Sequence, residues 1–320
     1  MAYQTGTATS QHDLLQQLAA WLVLQGWTLD HSQAEGSDWR AHLHKSGIYL
    51  HLRTRPTGNP FNGYIYNTCQ VPTLCCYMST DYAGIGAAWY DSFTGAPLAT
   101  DGKVCGCGIV VNTGANTAFY FFHDDNDHYT IVVERNAGIF QVMGFGFTLL
   151  KHGGNWVGGA YIHGHLTGGN TRDAPLNSNS RCPFYYGTDD YGKCNGALIR
   201  ANIESFTNNW LAVGPSSEPR EGWTGRRGYS TVTGRSTLPS SIPHSDDLVT
   251  YLVSSINSQA VLLPIRIFVE RDEGGPCLIG TAPALFQTNA VGNGYLAGAE
   301  IQLGGDTYKL FPEFAVRKVA

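Results

Sequence analysis

Short strand-like runs at regular spacing constrain the fold of this chain more than any other feature. Between residues 104 and 163, alternating or continuously apolar stretches are separated by connections rich in Gly, Asn and Asp. These residue types favour turns, and repeated short strands joined by turns are typical of antiparallel sandwiches and barrels. The sequence therefore predicts an antiparallel meander with strands at 104–112, 117–123, 129–135, 139–145 and 156–163.

A helix is predicted near the N-terminus. Ser10 suits an N-cap position, and Asp13 follows three residues later, as in a capping box. Gly26 follows the last apolar turn and suits the position after a helix C-cap. The predicted helix covers about 11–25 because apolar residues recur there at helical spacing. These residues are Leu14, Leu15, Leu18 and Leu22.

A β-hairpin is predicted after the helix. Residues 38–44 and 48–53 both alternate between apolar and polar side chains, and Lys45-Ser46-Gly47 separates them as a turn. On this pattern the hairpin has one apolar face. The polar side chains between the apolar ones are expected on the other face.

These elements indicate a mainly β protein that is α+β overall. Residues 1–58 are predicted to form a small docking domain of helix plus hairpin, and 59–170 an antiparallel β-sandwich-like core. Residues 171–320 are predicted to be loop-rich β structure with a short helix at 246–256 and a C-terminal hairpin turning at Gly304-Gly305-Asp306. This third region either stands apart or completes the same sandwich.

The chain carries few charges for its size. Asp, Glu, Lys and Arg make up 14% of its 320 residues, compared with roughly 25% in ordinary soluble domains. The surface is therefore either neutral and polar, or covered by partner subunits, and the second interpretation is favoured. The net charge of −5 argues against a nucleic-acid partner, which would require a basic face.

The N-terminal region predicts neither a signal peptide nor a membrane anchor. The first Lys or Arg is Arg40, so the positive segment that opens a signal peptide is missing. The most apolar early stretch, 18–24, is too short to span a bilayer. We therefore expect synthesis in a cytoplasm and no membrane partner.

Motifs that mark catalytic or cofactor sites do not occur in the sequence. There is no nucleophile elbow, no zinc-protease motif, no P-loop and no dinucleotide-binding glycine pattern. The sequence therefore predicts neither an enzyme nor a cofactor. A glycosidase hypothesis would depend on carboxylates of the loop-rich region. These are Asp189, Asp190, Glu204, Glu218 and Glu221.

Three Asp and two His residues lie close together at positions 123–128, between two predicted strands. Their side chains can bind a divalent cation, which makes Asp124, Asp125 and Asp127 weak metal candidates. A hairpin turn is the favoured interpretation because Asp and Asn are typical turn residues. No metal site is therefore predicted here.

The remaining His and Cys residues are also interpreted without a metal. His163 and His165 are expected to be solvated on one sheet face. The eight cysteines include no C-x-x-C pair, so buried free thiols are favoured over a zinc site. Cys182 and Cys194 flank a loop and are a candidate disulfide pair in an oxidising setting.

Both ends and the middle of the chain resemble tailed-phage virion structural proteins. The resemblance rests on Thr5-Gly6-Thr7-Ala8, the segment 13–18, Gly26-Trp27-Thr28, the central run 117–164 and the ending 301–312. These motifs are structural, so no catalytic residue follows from them. The resemblance implies a component of the tail, baseplate or collar, made in the bacterial host cytoplasm and located in the virion. It implies other virion proteins and copies of the same chain as partners.

The expected function is assembly through low-charge, aromatic faces. The aromatic run 119–122 is either buried on both faces or exposed on one as a binding patch. Two alternatives stay open: a receptor- or glycan-binding virion module that uses aromatics such as Trp156, Trp210 and Trp223, and a polysaccharide-degrading enzyme. The interface candidates are Leu14, Leu18, Trp21, Leu22, Phe119, Phe121, Tyr185, Tyr186 and Tyr191.

Overall fold

The structure is a computed structural model. It describes residues 2–56, 72–84, 86, 89, 93–97, 106–111, 117–124, 126–147, 150–151, 160–164, 166–167, 197–203, 206–213, 228–230, 262–269, 277–288, 290–292, 294–312 and 314–318. Across these residues the protein is mainly β with a single helix. This confirms the fold class expected from the sequence.

The secondary-structure elements follow one another as β1 (Ala2–Ala8), α1 (Gln11–Leu24), β2 (Thr28–Glu35), β3 (Asp38–Lys45), β4 (Ile48–Arg55), β5 (Thr73–Ser79), β6 (Cys107–Val110), β7 (Thr117–His123), β8 (His128–Asn136), β9 (Ile139–Gly146), β10 (Leu150–Lys151), β11 (Tyr161–Gly164), β12 (Leu166–Thr167), β13 (Ala197–Ile203), β14 (Phe206–Val213), β15 (Gly228–Ser230), β16 (Leu263–Val269), β17 (Cys277–Gln287), β18 (Glu300–Leu303), β19 (Asp306–Phe311) and β20 (Phe314–Lys318). The predicted helix at 246–256 lies outside the described residues.

The strands form two sheets, which we name the long sheet and the short sheet. Neighbouring strands in the long sheet follow the order β1-β7-β8-β9-β11-β13-β14-β15-β16-β17-β20-β19-β18, and β10 pairs with β17 outside that path. The short sheet has the order β12-β6-β5-β4-β3-β2. Pairing is antiparallel except between β14 and β15. The consecutive pairing of β7, β8, β9 and β11 confirms four strands of the predicted meander. The strand predicted at 104–112 is β6, which belongs to the short sheet instead.

Helix α1 begins and ends where the sequence predicted. The Ser10 hydroxyl accepts a hydrogen bond from the Asp13 amide at 3.1 Å, and the Asp13 carboxylate accepts one from the Thr9 amide at 2.7 Å. The first bond satisfies an amide that the first helical turn leaves without a partner, and the second fixes the residue before the N-cap. At the other end Gly26 has a φ of +86°, a left-handed conformation that glycine adopts without steric cost.

Two tight turns fix the registers of the predicted hairpins. Ser46 and Gly47 have φ values of 51° and 76° between β3 and β4, and Gly304 and Gly305 have values of 62° and 93° between β18 and β19. Positive φ at both central residues is the type I′ geometry, whose twist matches that of antiparallel strands. Both predicted hairpins are therefore confirmed.

Helix α1 helps to fill an apolar core shared by the two sheets. The Trp21 ring lies 5.3 Å from the Phe121 ring of the long sheet, measured between centroids. The core buries six of the predicted interface residues, so the prediction that they contact partner subunits is wrong. Their apolar faces are already used to hold helix and sheets together. These residues are Leu14, Leu18, Trp21, Leu22, Phe119 and Phe121.

The aromatic run on β7 is buried on both faces. The odd-numbered side chains of the run face the core just described, whereas Tyr120 and Phe122 contact the C-terminal hairpins of the same sheet. The Phe311 ring of β19 lies 5.6 Å from Tyr120 and 6.4 Å from Phe122. The long sheet therefore turns back so that its last strands cover the outer face of its first ones. Of the two interpretations of the run, burial on both faces is correct.

The domain boundaries drawn from the sequence do not separate folding units. β1 pairs along its whole length with β7, and β4 pairs along its whole length with β5, so residues before 58 belong to the same sheets as residues after it. β11 pairs with β13 in the same way across residue 170. The predicted boundary at 58 is wrong because sheet pairing joins strands that are distant in sequence. The third region completes the sheet begun by the second.

Candidate functional site: a row of histidines on the short sheet

One face of the short sheet carries a line of ring side chains. Strand register places His31 of β2 opposite His42 of β3, His42 opposite His51 of β4, and His51 opposite Tyr77 of β5. Directly paired residues lie on the same face of a sheet. The four rings therefore form a line across four neighbouring strands. We call His31, His42 and His51 the histidine row.

A β-bulge in β2 brings His31 into this line. Asp30 is the extra residue at the bulge, and it shifts the register so that His31, rather than Asp30, pairs with His42. Bulges commonly redirect side chains in this way. The Asp30 carboxylate binds the Nδ1 atom of His44 at 2.8 Å on the same hairpin.

The histidine row is covered, although the sequence pattern predicted a polar face for this side of the hairpin. The Tyr82 ring stacks on His42 with centroids 4.5 Å apart, and the Phe93 ring stacks on His51 at 4.8 Å. His42 and His51 have no exposed surface, and His31 is half-buried. The prediction of a single apolar face is confirmed, but the polar face is not open to solvent, because a segment more than thirty residues away packs against it.

A chain of hydrogen bonds passes through the row. His42 Nδ1 lies 2.7 Å from His51 Nδ1, His51 Nε2 lies 2.7 Å from Ser79 Oγ, and Ser79 Oγ lies 2.5 Å from the Asp81 carbonyl oxygen. Two oxygens this close share a proton, so the Ser79 hydroxyl donates to Asp81. His51 Nε2–H then donates to Ser79. His51 Nδ1 is left as an acceptor, and His42 Nδ1–H donates to it.

This order of donors leaves the other ring nitrogen of His42, Nε2, without a proton, so it carries an available lone pair. A neutral imidazole carries one N–H, and that of His42 is at Nδ1. Within the described part of the chain, His42 Nε2 has no hydrogen-bond partner. His31 Nε2 and the Tyr82 hydroxyl also lack partners there, and all three atoms are buried. Buried polar atoms without partners are uncommon in folded proteins, so this group requires an explanation.

Burial keeps the His42 and His51 imidazoles neutral. Burial, with smaller contributions from the nearby Arg40 and His31, lowers the pKa of His42 to about 3. Burial also lowers the pKa of His51 well below its usual range, with a contribution from His42. Both shifts have the sign expected when a cationic form is removed from water. At neutral pH both rings therefore carry lone pairs rather than positive charge.

A buried ion-pair network lies on the same face of the short sheet. The Arg53 guanidinium donates to the Asp38 carboxylate at 2.6 and 3.0 Å, and Arg55 Nε lies 3.3 Å from the same carboxylate. Arg40 Nε lies 3.1 Å from Glu35. Buried charges need such partners to offset their desolvation. The cations near the row are therefore held by carboxylates on the same sheet.

The order Ser79, His51, His42 resembles the nucleophile, base and orienting group of a hydrolase. In such an enzyme the serine hydroxyl donates to the base, whereas the Ser79 hydroxyl donates to the Asp81 carbonyl. The geometry therefore supports ligand binding at His42 Nε2 rather than acyl transfer at Ser79.

The carboxylates at 123–128 hold a turn together. The Asp124 carboxylate accepts hydrogen bonds from the amides of Asn126 at 2.9 Å and His128 at 3.1 Å, and from His128 Nδ1 at 3.1 Å. Burial alone would raise the pKa of Asp124, but these bonds outweigh it and lower the pKa. The preferred interpretation as a turn is confirmed for the described residues. Asp125 lies outside them.

The second carboxylate of this turn, that of Asp127, accepts hydrogen bonds from a different set of donors. Asp127 Oδ1 accepts from Lys45 Nζ at 2.6 Å, from Tyr129 Oη at 2.9 Å and from His123 Nε2 at 3.1 Å. Asp124 and Asp127 are thus each occupied separately by protein donors and do not converge on a common point. The two side chains tie the turn to the rest of the core.

The other predicted residues differ in outcome. Cys75, Cys76 and Cys107 are buried, as expected, and burial raises the pKa of Cys76 to about 12. His163 is buried rather than solvated, so that prediction is wrong; its ring packs directly against β9, where Gly144 leaves room for it. Several residues lie outside the described part of the chain. These are Cys105, His165, Cys182, Tyr185, Tyr186, Tyr191 and Cys194.

The sequence reasoning missed the histidine row, although one signal for it was present. A hairpin that turns at Ser46-Gly47 pairs position 42 with position 51, and both are His.

In the described residues no three His, Cys, Asp or Glu side chains converge as a metal site. The helix found among them is too short and not apolar enough to cross a bilayer. No protein-family model matches the chain. No curated protein shows significant similarity to it.

Proposed function

We propose that the protein is a structural component of a tailed-phage virion and assembles through protein–protein interfaces. One observation supports assembly most directly: three large apolar side chains, Val23, Leu24 and Leu29, are exposed where α1 ends and β2 begins. Leu24 has 78% of its surface exposed. Clustered apolar surface of this kind commonly marks an interaction site.

The edge of the short sheet lies beside these side chains. β2 is its terminal strand, and among the described residues its outer edge pairs with no other strand. Free edges offer backbone donors and acceptors to a strand of another chain. We call this edge, together with Val23, Leu24 and Leu29, the β2 face. Its proposed occupant is a second copy of the same chain.

The β2 face takes the place of the interface expected from the sequence. The helix contributes its exposed C-terminal residues instead of its buried apolar stripe. The low fraction of charged residues, 14%, also supports assembly, because a neutral surface is weakly protected from association. The resemblance of both chain ends and the central run to tailed-phage proteins supports a place in the tail, baseplate or collar.

The glycan-binding alternative gains no support from Trp210. This side chain is half-buried, and its Nε1–H donates to the Gly95 carbonyl at 2.7 Å. Stacking on a sugar requires an exposed ring face. Trp156 and Trp223 lie outside the described residues.

Substituting both Leu24 and Leu29 by Lys is expected to abolish self-association while leaving the fold intact. Both side chains are exposed, so the change removes apolar contact area and adds like charges that repel across a symmetric interface. Light scattering coupled to size exclusion measures the mass, and circular dichroism checks the fold. Leu296→Lys is the matched control, because Leu296 is 80% exposed but far along the chain.

A wild-type protein that stays monomeric at high concentration and is absent from purified particles would contradict the proposal. Self-association lost equally in Leu296→Lys would show that charge alone, and not the β2 face, is responsible. Binding to host glycans, or release of reducing ends from host polysaccharide, would favour one of the alternatives instead.

A further inference from the structure

The three unpartnered polar atoms of the histidine row belong to neighbouring side chains. His31 and His42 are a direct cross-strand pair, and the Tyr82 ring lies on the His42 ring. His31 Nε2, His42 Nε2 and the Tyr82 hydroxyl are all buried and have no hydrogen-bond partner in the described residues. Two imidazole nitrogens and one phenol oxygen on one covered face form a set that suits a metal ion.

We propose that His31 and His42 bind one divalent transition-metal ion of the class that prefers imidazole, such as Cu²⁺ or Zn²⁺, through their Nε2 atoms. The Tyr82 hydroxyl lies at the edge of this site and water completes the coordination. This is a property of the short sheet that goes beyond assembly and does not depend on it.

The hydrogen-bond chain behind His42 supports this site. Histidine ligands in proteins usually donate their other ring N–H to a fixed acceptor, which sets the tautomer and the direction of the lone pair. His42 Nδ1–H donates to His51, whose own N–H donates to Ser79. His42 Nε2 is therefore already oriented as a ligand.

The surroundings fit an open site rather than a closed structural one. Structural zinc sites use four protein ligands, whereas here two imidazoles are available and no third His, Cys, Asp or Glu of the described residues joins them. The nearest cation, Arg40, is held by Glu35 at 3.1 Å, which offsets its repulsion of a metal ion. His31 is half-buried on the terminal strand and gives the ion a route from solvent.

Titration of the full chain with Cu²⁺ tests the proposal. The protein is first freed of metal with a chelator, and binding is then followed by calorimetry and by electron paramagnetic resonance. We expect one tight equivalent whose spectrum shows coupling to two imidazole nitrogens, and no comparable binding of Mg²⁺, which prefers oxygen ligands. The absence of a tight equivalent, or a spectrum without imidazole coupling, would overturn the assignment.

Variants locate the site. His31→Gln is expected to weaken Cu²⁺ binding by at least about 100-fold, because it removes a ligand, at a partly exposed position that tolerates the change. His12→Gln is the matched control, because both ring nitrogens of His12 already contact protein groups, Gln11 and Thr54. Equal affinity in His31→Gln and wild type would place the metal elsewhere and refute the proposal.

Ser79→Ala tests whether the hydrogen-bond chain from Ser79 through His51 positions His42. Without the Ser79 acceptor, the His51 proton is free to move to Nδ1 and the His42 proton to Nε2, which blocks the ligand atom. Loss of a supporting hydrogen bond of this kind typically costs about 10–100-fold in metal affinity. We expect a loss of Cu²⁺ affinity of that size in Ser79→Ala. At saturating Cu²⁺ its electron paramagnetic resonance spectrum should still show coupling to two imidazole nitrogens. Unchanged affinity would exclude a positioning role for Ser79.

Discussion

Lowering the pH from 7 to 4.5 is expected to destabilise the metal-free protein by up to about 5 kcal/mol. The cause is the pair of buried imidazoles, His42 and His51, which stay neutral in the folded state. Each such histidine costs about 1.4 kcal/mol per pH unit once the unfolded chain is protonated. Urea unfolding followed by tryptophan fluorescence at pH 7, 5.5 and 4.5, with chelator present, measures the change.

The sign of this dependence follows from the direction of the shifts. The pKa of His42 falls from 6.5 to about 3 on folding, and that of His51 also falls well below 6.5. Below pH 6.5 the unfolded state therefore binds protons that the folded state does not, and stability decreases as the pH falls. Stability is fully present above pH 6.5. Carboxylates with lowered pKa values, such as Asp124, add a loss only at more acidic pH.

His42→Gln separates the imidazole contribution from the rest. The Gln amide keeps a donor for His51 Nδ1 but does not titrate, so the slope between pH 6.5 and 5 is expected to fall by about half. His44→Gln, on the same strand, serves as the control because His44 is only half-buried and is paired with Asp30. A wild-type stability that is constant between pH 7 and 5 would contradict the buried, neutral pair.

Trp21→Ala is expected to destabilise the protein by about 3–5 kcal/mol, as is typical when a large buried aromatic side chain is removed from a core. Only 2% of Trp21 is exposed, and its ring contacts Phe121, His123 and Tyr129 with centroids 5.3–6.5 Å away. The substitution leaves a cavity where the helix meets the long sheet. Urea unfolding at pH 7 measures the loss.

The matched control on the same helix is Leu24→Ala. Leu24 is 78% exposed, so its truncation should change the free energy of unfolding by no more than about 0.5 kcal/mol in the monomer. A small effect of Trp21→Ala, similar to that of Leu24→Ala, would mean that α1 does not pack against the long sheet. In that case helix α1 would again be a candidate interface with a partner subunit.

Local signals in the sequence were sufficient for the elements that depend on local physics. Ser10, Asp13 and Gly26 define helix α1 because capping involves only neighbouring residues. Ser46-Gly47 defines the first hairpin because a two-residue turn sets the register of both strands. The central meander follows from the same kind of turn chemistry.

The sequence could not show which distant segment packs against each face of a strand. The alternating pattern of β3 and β4 shows which residues share a face, but Tyr82 and Phe93, which cover His42 and His51, come from a distant segment. The alternation alone therefore does not show that the polar face is covered. β2 was missed because its exposed edge position permits a polar sequence without alternation. The bulge at Asp30 leaves no signal that composition or periodicity detects.

The pairing of β1 with β7 has a consequence for synthesis on the ribosome. Residues 2–8 leave the ribosome well before their hydrogen-bonding partners at 117–123, which are more than a hundred residues behind them. At about 5–20 residues per second, the first strand waits on the order of ten seconds before its partner exists. Until then β1 exposes unpaired backbone donors and acceptors, and strands of neighbouring nascent chains on the same messenger compete to pair with it.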